Sequence, residues 1–332
     1  MQAAFYERTG PAQQVLQLGE LPDPEPGAGA GEVRVRLRWS GVNPSDVKSR
    51  AGLRSAVLAF PRIVPHSDGM GVIDAVGPGV APARVGERVW VWNAAWGRPS
   101  GTAAQYVVLP QAQAVTLPEG VDGEAGACLG IPALTALHAM LCGGGGGVAG
   151  RRVLVAGGAG AVGHYAVQFA RLLGAGQVLA TVSSAAKAEL ARAAGAEVVI
   201  DYRRENVVER VREATGGLGV DRIVEVDLAA NAALDAELLR AGGDCVVYGS
   251  GAAQVSLPFF PLIVKNLSLR FFIVYNLEAA DRERAQRLLG DWLARGALQH
   301  NIAARLPLAQ IARAHELVEQ GAAVGNVVLA IP

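Results

Sequence analysis

The chain has 332 residues, about half of them apolar and 18% charged, and its thirty basic and thirty acidic side chains cancel to a formal charge of zero. Such a chain can bury large cores, most simply as two domains, and carries no field that favours nucleic acid or an anionic membrane, so a small molecule is the expected partner. Three scattered cysteines, Cys128, Cys142 and Cys245, exclude a disulfide framework and a four-cysteine zinc lobe, and MQAAFYERTG has a charge pair where an export signal needs an apolar core.

In chain order, prolines at 22, 24 and 26 mark a loop before EVRVRLRWSGV (Glu32 to Val42), which alternates apolar and charged residues with period two. GVIDAVGPGV and GERVWVW follow with turn residues between them, and the set predicts a small, largely antiparallel β domain. In VWVWNAAWGRP, Trp90 and Trp92 share a strand face, while Trp96 in the loop is the candidate for lining an aromatic pocket. Ala125 to Gly150 has no charge, but Pro132, Thr135, His138 and a five-glycine run would make a poor membrane helix. This reads as a buried helix ending in a flexible surface linker, Gly143 to Gly147.

Beyond about residue 124 the pattern changes. VLVAG, QVLATV, EVVID, DRIVEV and DCVVYGS are short β-branched runs, each followed by a helix-like stretch such as AVQFARLLGA or AKAELARAAGA. That alternation predicts a doubly wound parallel sheet covered by helices on both faces, with LSLRFFIVYN as a sixth strand. An amphipathic helix follows, with Leu288, Leu289, Trp292 and Leu293 on one side, and GNVVLAIP reads as a last strand returning to the β domain. The expected division is 1–124 with 267–332 for the β domain and 125–266 for the parallel-sheet domain.

Val153 to Ala156 is a buried-strand pattern, and Gly157-Gly158-Ala159-Gly160-Ala161-Val162-Gly163 follows it directly, before a helix with an apolar face. Gly158, Gly160 and Gly163 fit G-x-G-x-x-G: one glycine for the tight turn, one to let backbone N–H groups reach a pyrophosphate, one for close helix packing. The helix N-terminus, at Ala161 and Val162, then faces the anion. Strand, turn and helix in this order predict dinucleotide binding. His164, at the start of that helix, reads as a packing residue. Where an NAD site places an acid about twenty residues on, ATVSSAAK offers Ser183, Ser184 and Lys187. Two hydroxyls and an ammonium suit a 2′-phosphate, so NADPH is favoured over NADH; the plainer reading has Ser183 capping the next helix and Lys187 in solvent.

These features, with SGVNPSDVKSRAG (Ser40 to Gly52), GERVWVW, GIPALTAL and VLVAGGAGAVG, resemble the medium-chain dehydrogenases/reductases, specifically the quinone oxidoreductases of the zeta-crystallin type, over nearly the full length. The resemblance implies a GroES-like β domain built from both chain ends, a Rossmann domain between, a cleft holding NADPH, and a homodimer or dimer-based tetramer in which LRFFIVY pairs across the dimer; the three cysteines read as reduced thiols of a cytoplasmic protein. Zinc-dependent relatives hold their metal at positions matching Asn43, Ser67 and Ile131. Asn and Ile are not credible zinc ligands, and His66 stands one residue off, so no metal is expected. Without a Lewis acid, alcohol chemistry is disfavoured, and the implied reaction is hydride transfer to a quinone or an α,β-unsaturated carbonyl.

By the same resemblance Asn43 lies beside the nicotinamide ribose and the acceptor, and Asp46 orients its loop. Lys48 stands where some relatives have a tyrosine near the ligand, and is a candidate donor to the enolate or quinol oxygen. Thr135 is placed near the nicotinamide, Tyr202 on the adenine side, Gly249 and Ser250 at a strand end facing the dinucleotide, and Ile273 and Val274 at the carboxamide. Asn326 replaces a lysine often found in the final strand. Two other readings stay open: an alkenal or enoyl-thioester reductase, and a non-catalytic NADPH-binding protein, structural or RNA-associated.

Overall fold

Because a pleated strand sends successive side chains to opposite faces, the alternating run Glu32 to Val42 forms one strand with Val33, Val35 and Leu37 buried and Arg36 and Arg38 exposed. The computed structural model that shows this describes residues 1–27, 31–143 and 147–332, so Gly144 to Gly146 of the expected linker lie outside the described residues. The chain opens with β1 (Gln2–Phe5) and β2 (Gln17–Glu20), an antiparallel pair, then β3 (Glu32–Val42), β4 (Asp68–Val76), β5 (Arg88–Val91), β6 (Tyr106–Pro110) and β7 (Ala114–Thr116). A helix, Pro44–Arg50, starts immediately after β3, with Pro44 at its first position, where the missing N–H costs nothing.

Next come β8 (Arg152–Val155), β9 (Gln177–Val182), β10 (Val198–Asp201), β11 (Val220–Glu225), β12 (Leu239–Val247) and β13 (Ser268–Phe271). They form one sheet in the order β10-β9-β8-β11-β12-β13, parallel throughout. Parallel strands are covered on both faces, which is why these segments read as continuous apolar runs. Counting from β8, the order is 3-2-1-4-5-6, the doubly wound Rossmann arrangement, whose switch point lies between β8 and β11. Ligands bind such sheets at the carboxyl ends of the strands beside that point.

Finally, β14 (Ile302–Pro307) and β15 (Asn326–Ala330) join the first sheet, giving the order β14-β15-β3-β4-β5-β7 with β6 also on β3. The final strand β15 runs antiparallel to β3, Val327 opposite Val42, and Val327 and Leu329 enter the same core as Val33, Val35 and Leu37. Two units result, Met1–Pro132 with Arg287–Pro332, and Ala133–Gln286. Residues 267–286, grouped with the β domain on sequence, fall in the second unit, because β13 pairs with β12 along Asp244–Ser268 to Val247–Phe271. Among the described residues no helix is long and apolar enough to cross a membrane.

Candidate functional site

The second unit carries the glycine turn at the switch point. Gly157 has φ 68°, so it, rather than Gly158, is the left-handed residue of the turn. Gly158 is required for a different reason: a Cβ there would come within 2.6 Å of Ala180 Cβ on β9. At Gly163 a Cβ would stand 2.2 Å from Gly157 O, so this glycine lets the helix Ala161–Leu172 close onto the turn. At Gly160 a Cβ would find Gly157 O at 3.3 Å, the mildest of these contacts. Gly160 is also the N-cap, without a side-chain cap, so the first N–H groups of the helix, at Ala161, Val162 and Gly163, face outward with the positive end of the helix dipole behind them. Thr181, which the sequence reading passed over, braces the turn: its Oγ1 accepts from Gly157 N at 3.2 Å and its carbonyl from Gly158 N at 3.0 Å. A threonine near the end of the neighbouring strand was its only signal. His164 is buried and takes Gln168 Nε2 at 3.1 Å on Nδ1.

At the end of β9, Lys187 Nζ donates to Ser183 Oγ at 2.9 Å. The cap of the following helix is Ser184, which accepts from Lys187 N, so the capping role expected of Ser183 belongs to its neighbour. Tyr202 N donates to Val182 O at 3.0 Å, and the Tyr202 ring is half-exposed. The closest acid on the adjoining strand, Asp201, accepts from Arg203 N at 3.1 Å. The chemistry gathered at this strand end is two hydroxyls and an ammonium.

Further along the sheet, Val226 follows β11 and stands over the turn, its Cγ1 3.7 Å from where a Gly157 Cβ would be. Gly249 packs on Val226 O, where a Cβ would be at 2.2 Å, and the next peptide is pinned by Gly251 N donating to Asp227 Oδ1 at 2.7 Å. Ser250 Oγ donates to Ala252 O at 2.7 Å. Past β13, Ile273 is exposed and Val274 buried, with Val274 O accepting from Arg282 Nη2 at 2.7 Å, so any ligand bond there falls to N–H groups. Thr135 is buried in the first turn of the helix Leu134–Leu141.

The first unit holds a buried polar cluster around Asn43. Asn43 caps the helix Pro44–Arg50 in a closed capping box: its side chain accepts from Asp46 N, and Asp46 Oδ2 accepts from Asn43 N at 2.8 Å. Its Nδ2 donates to Asp68 Oδ2 at 3.0 Å, and the same oxygen accepts from Ile131 N at 2.8 Å. Burial pushes the Asp46 carboxyl up to about 7, against the pull of the Asn43 N–H and Arg54. Burial drives Asp68 well above the usual carboxylate range. Lys48 is half-buried on the same helix.

The structure thus brings Asn43 and Ile131 onto one carboxyl, with Ser67 buried beside Asp68 in sequence. As a zinc site this set does not fit, since it offers an amide, a hydroxyl and a hydrocarbon side chain. His66 does not complete it: Nδ1 bonds Ser40 Oγ at 2.8 Å and Nε2 bonds His315 Nε2 at 2.9 Å, deep in the unit. Burial lowers His66 to about 3 and His315 well below its ordinary value, which favours two neutral rings, one donating its Nε2–H to the Nε2 of the other. Asn326 is also occupied internally, donating from Nδ2 to Asn301 O at 3.0 Å, and Trp96 is 40% exposed.

Comparison with known proteins agrees with this architecture. Residues 29–119 match the Alcohol dehydrogenase GroES-like domain and residues 161–293 the Zinc-binding dehydrogenase family. The chain is 30% identical over 290 residues to the quinone oxidoreductase of Rattus norvegicus, covering 87% of this chain and 86% of that one. It is 32% identical over 303 residues to the 2-haloacrylate reductase of a Burkholderia species, covering 87% of each. Among solved structures, the Escherichia coli quinone oxidoreductase complexed with NADPH superposes with a TM-score of 0.87 at 26% identity over 99% of this chain and 100% of that one. An NAD-dependent alcohol dehydrogenase does so with 0.90 at 30% identity over the whole of both. With a Rossmann sheet, a GroES-like β unit and these similarities, the chain is an oxidoreductase of the nicotinamide-dependent class and belongs to the quinone oxidoreductase family of the medium-chain dehydrogenases/reductases.

Proposed function

We propose that the protein reduces quinones or α,β-unsaturated carbonyls with NADPH and without zinc. The observation that carries this reading is the donor set at Asn43, Ser67 and Ile131, two of which are bonded to Asp68. Without a metal to stabilise an alkoxide, the acceptor must spread its own charge, as a quinone or enone does onto oxygen. The relatives' names, quinone oxidoreductase and 2-haloacrylate reductase, span both acceptor classes.

When bound, NADPH would supply the hydride. The outward N–H groups of Ala161 to Gly163, beside the glycine turn Gly157 to Gly160, suit its pyrophosphate, and Ser183, Ser184 and Lys187 suit its 2′-phosphate, with Tyr202 on the adenine side. Thr135, Gly249, Ser250, Ile273 and Val274 are the proposed contacts toward the nicotinamide. On the β-rich unit, Asn43 would present its amide to the nicotinamide ribose and acceptor, and Lys48 would donate to the oxygen that gains charge. The free thiols Cys128, Cys142 and Cys245 support a cytoplasmic setting, and the exposed apolar edge at Phe271 supports a dimer.

The test is steady-state oxidation of NADPH and NADH with naphthoquinones, 2-alkenals and 2-alkenoates, before and after dialysis against a chelator. The expected result is turnover with a quinone or enone, kcat/KM at least about tenfold higher with NADPH, and no loss on chelation. If NADPH binds but no acceptor in the panel oxidises it, the non-catalytic reading replaces this one.

A further inference from the structure

The Asn43 side chain is held at both ends. An amide offers two N–H donors and two acceptor sites. Here the oxygen takes Asp46 N, and Nδ2 gives one hydrogen to Asp68 Oδ2 at 3.0 Å. Rotating the amide by half a turn would set NH2 against the Asp46 N–H, trading a bond for a repulsion. The bond to Asp68 commits one N–H of the amide and so fixes the direction of the rest of it.

Asp68 is itself immobilised. Oδ2 also accepts from Ile131 N at 2.8 Å, and its carbonyl accepts from Thr102 Oγ1 at 2.6 Å. A Cβ at Gly130 would stand 2.2 Å from Asp68 Oδ1, so glycine at 130 is what lets the carboxyl lie flat against that loop. Asp68 is 0% exposed, so it cannot touch a ligand and can act only through its partners.

We propose that Asp68 is the positioning residue for Asn43: by accepting the Nδ2 hydrogen bond from beneath, it fixes which way the Asn43 amide faces the nicotinamide and the acceptor. This rests on the proposed role of Asn43 in the reaction. Asp68 has no signal of its own in the sequence, because its partner Asn43 is 25 positions away and Ile131 is 63.

The experiment compares Asn43→Ala, Asp68→Ala, the double variant and Asp68→Asn, with the full chain. The readouts are kcat and KM for NADPH and acceptor, and the side-chain amide signals of protein labelled with 15N asparagine, Asn43 being assigned by its loss in Asn43→Ala. Asp68→Asn keeps an oxygen where Oδ2 stands, so it should stay within about threefold of the parent kcat/KM and retain the Asn43 signals. Asp68→Ala should fall about tenfold, shift and merge the Asn43 NH2 pair, and add less than about twofold to the loss in Asn43→Ala. Should Asp68→Ala fail to fold, Asp68→Ser takes its place. Losses that multiply in the double variant, an unchanged Asn43 amide in Asp68→Ala, or Asp68→Asn as damaged as Asp68→Ala would each overturn the proposal. If Asn43→Ala leaves turnover intact, the role of Asn43 in the reaction fails, and the amide signals alone decide whether Asp68 orients it.

Discussion

Asp46 shows what burial does to a single carboxyl. Its unfolded value is about 3.9, and in the folded protein burial raises it to about 7. Between these values the folded chain holds a proton that the unfolded chain has lost, so the contribution of Asp46 to stability falls as pH rises from about 4 to about 7 and is flat above. His66 and His315, both depressed, act oppositely, their contribution falling as pH drops below the ordinary histidine range. Comparing the parent with Asp46→Asn cancels the histidines and keeps an acceptor for Asn43 N. Asp46→Asn should gain on the parent by on the order of 2 kcal/mol between pH 5 and pH 8 in chemical denaturation. Lys187→Ala should raise KM for NADPH about tenfold, roughly 1.4 kcal/mol, and leave NADH unchanged in initial-rate measurements. Ser183 and Lys187 could be read from sequence because one strand-end carries both. The pairs Asn43–Asp68 and His66–His315 could not, since only the folded sheet brings their distant positions together.

At the scale of elements, the glycines of the turn divide by purpose. Gly163 serves packing, with the backbone of Gly157 at 2.2 Å from its absent Cβ, whereas Gly160 has an ordinary φ of −70° and room for a methyl group with a small shift. Gly163→Ala should therefore lower the melting midpoint by about 5 °C or more. Gly160→Ala should leave it within about 2 °C, since its methyl meets only Gly157 O, but weaken NADPH binding in fluorescence titration if the turn holds the pyrophosphate as proposed. Strand β3 and the parallel runs were legible because pleating and two-sided burial leave period-two and continuous apolar signatures. The extent of β13 was less so: LSLRFFIVYN reads as one strand, yet pairing stops at Phe271 and Val274–Asn276 turns, with Val274 O taken by Arg282.

At the scale of the molecule, β13 ends its sheet with an open edge, and Phe271 on it is 65% exposed. Phe260 and Val264 on the short helix Phe259–Val264 are about three-quarters exposed. An unprotected apolar edge invites a second strand. If the proposed dimer forms through this edge, the parent should run at twice the mass of one chain and Phe271→Asp at that of a single chain in light scattering after size exclusion, with the far-UV circular dichroism unchanged. The change in pattern near residue 124 points to two units, but the division at Gln286 was not legible, because it falls inside the single helix Ala279–Ala294. The placement of β15 beside β3 also sets an order of assembly. On the ribosome, Ala133–Gln286 emerges as one continuous stretch with all six of its strands, whereas β3, paired early with β4 and β6, must wait for β15, far downstream, before its Trp39–Val42 end is covered. A chain stalled before β15 would therefore hold every strand of the parallel sheet while the Trp39–Val42 end of β3 still lacked its partner.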